Sequence, residues 1–475
     1  MKMIRKTSIA VLVLMLLMLA LAACNRDDET QPGDTQGNGY DGTPSFAGVH
    51  EPRDLGGRTI TVGAWWESVI PFAAHNWDEP DPATAGNYYV SRRIFDNSMR
   101  VREEFNFVLE EVILDFDSMM PTLTSSIMAG DTFADIALIS GGWVLPAIMG
   151  DLIIPLGSID LPGSDLLGPQ IYSRVIADAL GEDWTFMDSR PTTGGFTVGI
   201  NMDIINEIGV PNPIDLYNQG LWTWDAMLDI MRTATMDTTG DGMTDRFGIS
   251  GQPGDLAFYF IGANDGQMVS DDFQYALDHP NTIVALEFLE TIFHEGLWEY
   301  DMSHGLDVGD WSRNFFAFQN GNSVFFPATT WALSDGHIPF EFAVVPWPLG
   351  PGNTSGNTWM GGWDGGFAFP HGSPWDTADL LVVIEEFWAW SGDDFSLMED
   401  YAFGWPRTIF LTEEDIVRQA SATFTMASDM GMNVPQYNWI FGTFVNHFAL
   451  RSMTVQQVVE AYRGPQQEIL DNFFR

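Results

Sequence analysis

Cations are scarce in this chain: 20 Lys+Arg stand against 65 Asp+Glu among 475 residues, a formal net charge of −45 at pH 7. Such a charge repels phosphate backbones and anionic lipid headgroups, so nucleic-acid binding and charge-driven attachment to membranes are excluded. Cysteine is scarcer still. The single one, Cys24, rules out an intramolecular disulfide and any Cys-rich zinc or iron–sulfur centre. HExxH, Walker and GxSxG motifs are also missing, which removes the commonest metalloprotease, nucleotidase and serine-hydrolase signatures. Aromatics are plentiful, with 18 Trp and 34 Phe beside 47 Gly and 26 Pro. This composition describes a loop-rich globular protein of roughly two to three domains, not a disordered acidic tail.

The N-terminal segment is read as an export signal. Lys2, Arg5 and Lys6 precede an apolar run from Ile9 to Ala23, 15 residues long, short of the ~18 or more that a spanning helix needs. Leu21-Ala22-Ala23-Cys24 resembles the lipobox of bacterial lipoproteins. That resemblance implies cleavage after residue 23, acylation of the Cys24 sulfur, and a chain held by lipid on the extracellular face of the cell membrane. The other reading is an ordinary secretory signal with an incidental cysteine. Residues 24–55 are mostly Asp, Gly, Thr, Gln, Pro and Asn, so they are expected to form a flexible tether with a root-mean-square reach of about 30 Å.

Beyond it, Arg58 to Trp66 is a β-rich run ending in Trp65-Trp66-Glu67. Val90, Ile94, Val101 and Phe105 recur at helical spacing. Phe107 to Leu114 is the next strand, Met119 to Ala129 a helix, and Ala134 to Ile139 a buried strand that stops at Gly141-Gly142-Trp143. Strand alternating with helix predicts an α/β fold with a largely parallel sheet, in which ligands meet the loops at the carboxyl ends of strands. Two such ends carry indoles. Either indole could equally be core, but the coincidence marks Trp65, Trp66, Glu67, Gly142 and Trp143 as candidate ligand contacts.

Thr197 to Asn201 reads as a strand, Met202 to Ile208 as a helix stopped by Gly209, and Trp222-Thr223-Trp224-Asp225 as the start of another helix reaching about Thr233. Next comes a loop with Asp237, Thr239, Asp241, Met243 and Asp245 at positions one, three, five, seven and nine of a calcium loop, with glycine at six. Position twelve is Gly248 rather than glutamate, so a structural calcium site and a plain Asp-Gly turn both remain open.

The succession Thr197 to Gly209, Trp222-Thr223-Trp224-Asp225, Asp237 to Gly248, Phe318-Gln319-Asn320-Gly321-Asn322-Ser323-Val324-Phe325-Phe326, Pro346-Trp347-Pro348-Leu349-Gly350-Pro351 and Gly361 to Pro370 resembles the extracellular solute-binding proteins of family 1. Members of that family are the lipoprotein receptors of carbohydrate-type ABC importers, distant relatives of maltose-binding protein. The likeness runs from about residue 56 onward. Gly199-Ile200-Asn201-Met202 departs from the family's Tyr-Asn-Lys, and Asn322 replaces a lysine, so any sugar contact made there by relatives is in doubt.

The resemblance implies an α/β, two-lobed periplasmic-binding-protein-like fold with several interlobe crossovers and a cleft ligand site. The lobes are expected at 56–165 with 322–372, and at 166–321 with 373–475. It further implies a monomer that captures a sugar or oligosaccharide, closes on it and delivers it to ABC permease subunits. Independently of family, sugar rings present C–H faces that stack on indoles, while their hydroxyls need acidic or amide partners. Trp331, Trp363 and Asp364 therefore join the candidate contacts, and Trp363→Ala is expected to weaken binding with little loss of stability. A secreted glycoside hydrolase, or a receptor for a non-carbohydrate solute, is the alternative. With 65 acids, the presence of a carboxylate pair argues nothing for hydrolysis.

Overall fold

The computed structural model describes residues 50–65, 97–158, 171–172, 176, 180–186, 197–299, 317–328, 333, 338–356, 366–388, 409–410, 412–424 and 437–474. Two sheets organise them. The first contains β1 (Arg58–Ala64), β2 (Phe107–Ile113), β3 (Ile136–Ile139), β4 (Ile153–Ile154), β5 (Ile171–Tyr172), β6 (Thr185–Phe186) and β11 (Gly366–Pro370). Its order is β2-β1-β3-β11-β6-β5, with β4 also on β11. β1 runs parallel to β2 and β3, whereas β11 is antiparallel to β3, β4 and β6. The second sheet has the order β10-β7-β9-β8 and is built from β7 (Thr197–Asn201), β8 (Phe247–Ile249), β9 (Ser323–Ala328) and β10 (Phe342–Val345).

Side-chain alternation explains the layers. In β3, Ile136 and Leu138 join a core with Ile60, Val62 and Ala64 of β1, while Ala137 and Ile139 join the opposite one. Helix α1 (Phe116–Met128) and helix α2 (Gly141–Met149) bring Leu123, Val144 and Leu145 to the Ala137 face. The helical segment 97–105 brings Val101 and Phe105 to the Ile60 face. Gly63 leaves room for Phe133, since a Cβ there would lie 2.5 Å from its ring. The second sheet is covered by α3 (Met202–Ile208), α4 (Pro213–Asn218), α5 (Trp224–Ala234), α6 (Pro253–Gly262) and α7 (Pro280–His294). Asn201 caps α3 by accepting the Ile204 amide at 3.1 Å, and Gly209 ends it in the left-handed region at φ 68°.

Four more helices follow: α8 (Thr377–Trp388), α9 (Glu413–Phe424), α10 (Tyr437–Ala449) and α11 (Val455–Phe474). Leu380 to Ile384 of α8 pack with Ile60 and Val62, on the first sheet. Ile416 of α9 packs with Phe326 and Val344, on the second. Among the described residues no helix is long and apolar enough to cross a membrane.

The lobes therefore divide differently from the expectation. By sheet and core membership, the described residues within 50–186 and 366–388 form one lobe, and those within 197–345 and 412–474 the other. β9 and β10, expected in the first lobe, both pair with β7 in the second. β5, β6 and α8, expected in the second, belong to the first. The physical reason is that these short segments are placed by long-range strand pairing, which local pattern does not encode.

The expected tether boundary also moves. His50 donates its backbone N–H to Glu386 and its ring contacts Glu385, both glutamates being fully buried on α8. Arg53 pairs with Asp379 at 2.6 Å, and the Leu55 amide donates to the Phe105 carbonyl at 2.8 Å. His50 to Leu55 thus belong to the folded unit. A chain beginning at residue 56 is expected to melt roughly 5 °C or more below one beginning at residue 46, because it strips partners from buried carboxylates. Calorimetric melting of the two chains checks this, and equal melting temperatures would count against it.

Candidate functional site

Topology brings two strand edges to the same place. In the first sheet the carboxyl ends of β1, β2 and β3 lie together, in the register Ala64↔Ile113 and Gly63↔Ala137. The chain leaves this edge after β6 and returns to it at the start of β11, since Phe367 pairs with Phe186 and Gly366 with Ile139. In the second sheet, β7 begins where β9 ends, with Thr197↔Ala328, and β10 ends beside it, with Val345↔Val198. Both crossovers, β6 to β7 and β10 to β11, therefore join the same two edges. That junction is the cleft position of a two-lobed α/β binding fold.

Each of the three parallel strands delivers an aromatic residue to the first edge. Trp65 directly follows β1. After β2, the Leu114 amide donates to the Ala64 carbonyl at 2.9 Å, Asp115 takes the cap position, and Phe116 opens α1. After β3, Ser140 takes the cap position and α2 begins with Gly141, Gly142 and Trp143. The rings meet. Trp65 and Trp143 have centroids 5.4 Å apart at 79°, Trp65 and Phe116 5.5 Å at 88°, and Phe116 and Trp143 4.3 Å at 37°. All three are half-buried. Among the described residues, a Cβ on Gly142 would meet nothing within 4 Å, so open space adjoins this aromatic corner.

Of the sequence candidates, Trp65, Gly142 and Trp143 are thus brought together. Trp66, Glu67, Trp331, Trp363, Asp364 and the lipidation candidate Cys24 lie outside the described residues. Phe116 was not among the candidates, although a signal was present: it stands three residues past β2, as Trp65 stands one past β1 and Trp143 four past β3.

The second edge carries another missed residue. Asp255 is the third residue of α6, in the connection that follows β8. The residue keeps partial surface exposure, yet burial of its carboxyl group pushes the pKa up to about 7. Tyr259, one turn on, is raised well above its usual value by burial and then by the Asp255 charge. Its ring stacks on the buried Trp347, centroids 4.8 Å apart at 20°. A carboxyl held protonated near neutrality can donate a hydrogen bond to a ligand oxygen, which an ordinary aspartate cannot.

Asp255 also carries a pH signature. Its folded pKa lies above the unfolded value, so its contribution favours the fold below pH ~4 and declines as pH rises through about 7. Asp255→Asn is expected to flatten the fall in stability between pH 4 and 7 by about 1–3 kcal/mol, a range reduced for the residue's partial exposure. Urea titrations across that range check this; identical slopes in the two proteins would show that Asp255 titrates normally.

The Asp237 loop is closed by its own amides. Asp237 accepts from the amides of Gly240 and Gly242, each at 2.6 Å, and from Thr239 at 3.1 Å. Asp245 accepts from the Thr238 amide and hydroxyl, both at 2.8 Å, and Asp241 from the Met243 amide at 2.8 Å. These bonds hold the Asp237 and Asp245 carboxyls below their usual pKa, led by the Gly242 and Thr238 amides respectively. The Thr239 hydroxyl donates to Asp237 at 3.2 Å. Position twelve lies inside β8, where a Cβ on Gly248 would stand 2.4 Å from that of Met231. Among the described residues no group of three or more His, Cys, Asp or Glu side chains could hold a metal ion. His294 ends α7, and its Nε2 lies 2.8 Å from the Phe448 carbonyl.

Several other tryptophans are core. Trp222 and Trp224 are 3% exposed and Trp347 is 0%, and Trp224 stacks on Phe288 at 4.5 Å.

Comparison with known proteins agrees with this geometry. The family model described as bacterial extracellular solute-binding protein matches residues 102–380. An ABC substrate-binding protein of Listeria monocytogenes, solved in complex with cycloalternan, superposes with a TM-score of 0.61 at 12% identity, covering 87% of this chain and 99% of that one. The GacH receptor of Streptomyces glaucescens, studied unliganded and with acarbose, gives 0.58 at 13% identity over 88% and 99%. The maltose/maltodextrin-binding domain MalE of Bdellovibrio bacteriovorus, bound to maltotriose, gives 0.58 at 12% identity over 87% and 99%. No curated protein sequence matches the chain. At these identities the superpositions establish the fold alone: an α/β, two-lobed fold of the periplasmic-binding-protein type.

Proposed function

Because the chain belongs to the bacterial extracellular solute-binding proteins, we propose that it is the ligand-capturing component of an ABC importer, and that its cargo is a sugar or oligosaccharide held between the two lobes. The observation that carries this reading is the convergence of Trp65, Phe116 and Trp143 at the strand edge joined to the second lobe by the crossovers. Indoles offer flat apolar faces to pyranose C–H groups, and the acidic surroundings suit a neutral polyol better than an anion. Asp255, at the start of α6 after β8, would supply a protonated carboxyl for a hydroxyl or ring oxygen.

Ligand contacts both lobes only when they are closed, so binding shifts the population toward closure. The closed form then docks on the permease subunits and releases its cargo there. The cysteine at position 24, lipid-modified, keeps the receptor at the membrane; Cys24→Ser should release it into the medium, and an unchanged membrane fraction would refute the anchor. Calcium at the Asp237 loop is proposed only as a surface cation that must displace the loop's own amides.

A thermal-shift screen of the chain from residue 46 against mono- and oligosaccharides, with and without calcium, tests this function. A saturable rise with one glycan class supports it. No rise with any glycan in a folded sample contradicts the carbohydrate cargo, and a calcium-independent melting temperature retires the calcium proposal.

A further inference from the structure

The aromatic corner is a built object rather than two independent indoles. Phe116 touches both Trp65 and Trp143, at right angles to the first and within 37° of parallel to the second. It is held by the α1 start, which the Leu114–Ala64 hydrogen bond ties to the end of β1. Trp143 is fixed in turn by the first turn of α2, where its amide donates to the Ser140 carbonyl at 2.8 Å. One residue before it, Gly142 has no side chain and, among the described residues, no neighbour within 4 Å of where one would be. Its backbone does not need glycine, since its φ lies outside the left-handed region and no neighbour would clash. Packing among the described residues gives no reason for glycine at a position in the first turn of a helix, where alanine would be more stable.

We propose that Phe116 and Gly142 determine the specificity of the cleft: Phe116 positions the two indoles as a corner that receives the C–H face of a pyranose ring, and Gly142 keeps the adjoining space clear so that the ring lies against the α2 backbone. This inference rests on the carbohydrate reading and narrows it. The favoured cargo is a saccharide whose terminal or central pyranose carries equatorial hydroxyls, leaving its C–H face uninterrupted. An axial hydroxyl on that face would hold the ring away from the corner.

The test uses the chain from residue 46 with maltotriose, cellotriose and mannotriose as probes, measured by calorimetry beside thermal melting. A methyl at position 142 enters open space, so Gly142→Ala should melt no lower than wild type while binding its glycan at least about 10-fold more weakly. Phe116→Leu, which keeps apolar volume but loses the ring, should weaken binding by a similar factor and reduce the preference for cellotriose or maltotriose over mannotriose. Phe116→Tyr should stay within about 3-fold of wild type. A purely structural role for Phe116 would lower the melting temperature and leave the glycan preference unmoved. Wild-type affinity in both Gly142→Ala and Phe116→Leu overturns this inference alone. Failure of wild type to bind any of the three probes overturns the carbohydrate reading for these sugars, and this inference with it.

Discussion

Trp143→Ala is expected to weaken glycan binding by roughly 30- to 150-fold while leaving a folded protein. A sugar ring lying on one indole face removes about 100 Å² of apolar surface from water, worth about 2–3 kcal/mol, and each 1.4 kcal/mol is tenfold in affinity. Trp143 is half-buried and packs against the first-lobe core without being part of its fully buried centre, so the stability cost should be about 2 kcal/mol, less than for a fully buried tryptophan. Trp65→Ala should act in the same direction, and the two losses should not add, because the rings touch at 5.4 Å. Titration calorimetry of both single variants and the double variant checks this. Unchanged affinity in Trp143→Ala would remove the indole from the site.

The largest stability effect is expected far from the corner. At Gly248, an added Cβ would lie 2.4 Å from the Met231 Cβ and 2.8 Å from its Cα. The second contact is with helix backbone, which cannot swing aside as a side-chain end can. Gly248→Ala is therefore expected to destabilise the fold by about 3 kcal/mol or more, read from denaturant unfolding. Wild-type stability would mean that α5 and β8 sit farther apart than described. Gly142 contrasts with it: one glycine is demanded by packing, the other by nothing among the described residues. Gly248→Glu, the substitution that would complete a calcium loop by sequence, should break the strand rather than bind an ion.

How far the sequence could be read depended on whether a feature was local. Strand β7 spans Thr197–Asn201 and α3 spans Met202–Ile208 up to Gly209, the bounds that the local pattern indicates. The helix at Trp224 starts behind a Thr223 cap, whose hydroxyl accepts the Ala226 amide at 3.4 Å. Such elements announce themselves through caps, glycines and apolar spacing within a few residues. Sheet membership did not. β9 leads out of the Phe318 box and was assigned to the wrong lobe, because its pairing with β7 spans more than a hundred residues. Acidic, glycine-rich residues 24–55 looked like one tether, yet His50 and Arg53 find carboxylates on α8 that no local pattern could reveal.

The site was legible in part for the same reason. Trp65 and Trp143 stood out because tryptophan at a strand end is conspicuous, and the structure brings them into contact. Phe116 escaped notice because phenylalanine after a strand looks like ordinary core. Asp255 was invisible because its distinction is its environment: in sequence it is one of 65 acids, and burial at the start of α6 sets it apart.

The central claim is that the cleft binds a glycan stoichiometrically. Isothermal titration of the chain from residue 46 with the oligosaccharide class found by thermal shift, followed by analysis of the recovered sugar, tests it most directly. The account predicts one site per chain, an affinity weakened by roughly 30- to 150-fold in Trp143→Ala, and sugar recovered intact. Release of new reducing ends, or no heat from any glycan with a sample proved folded, would contradict it.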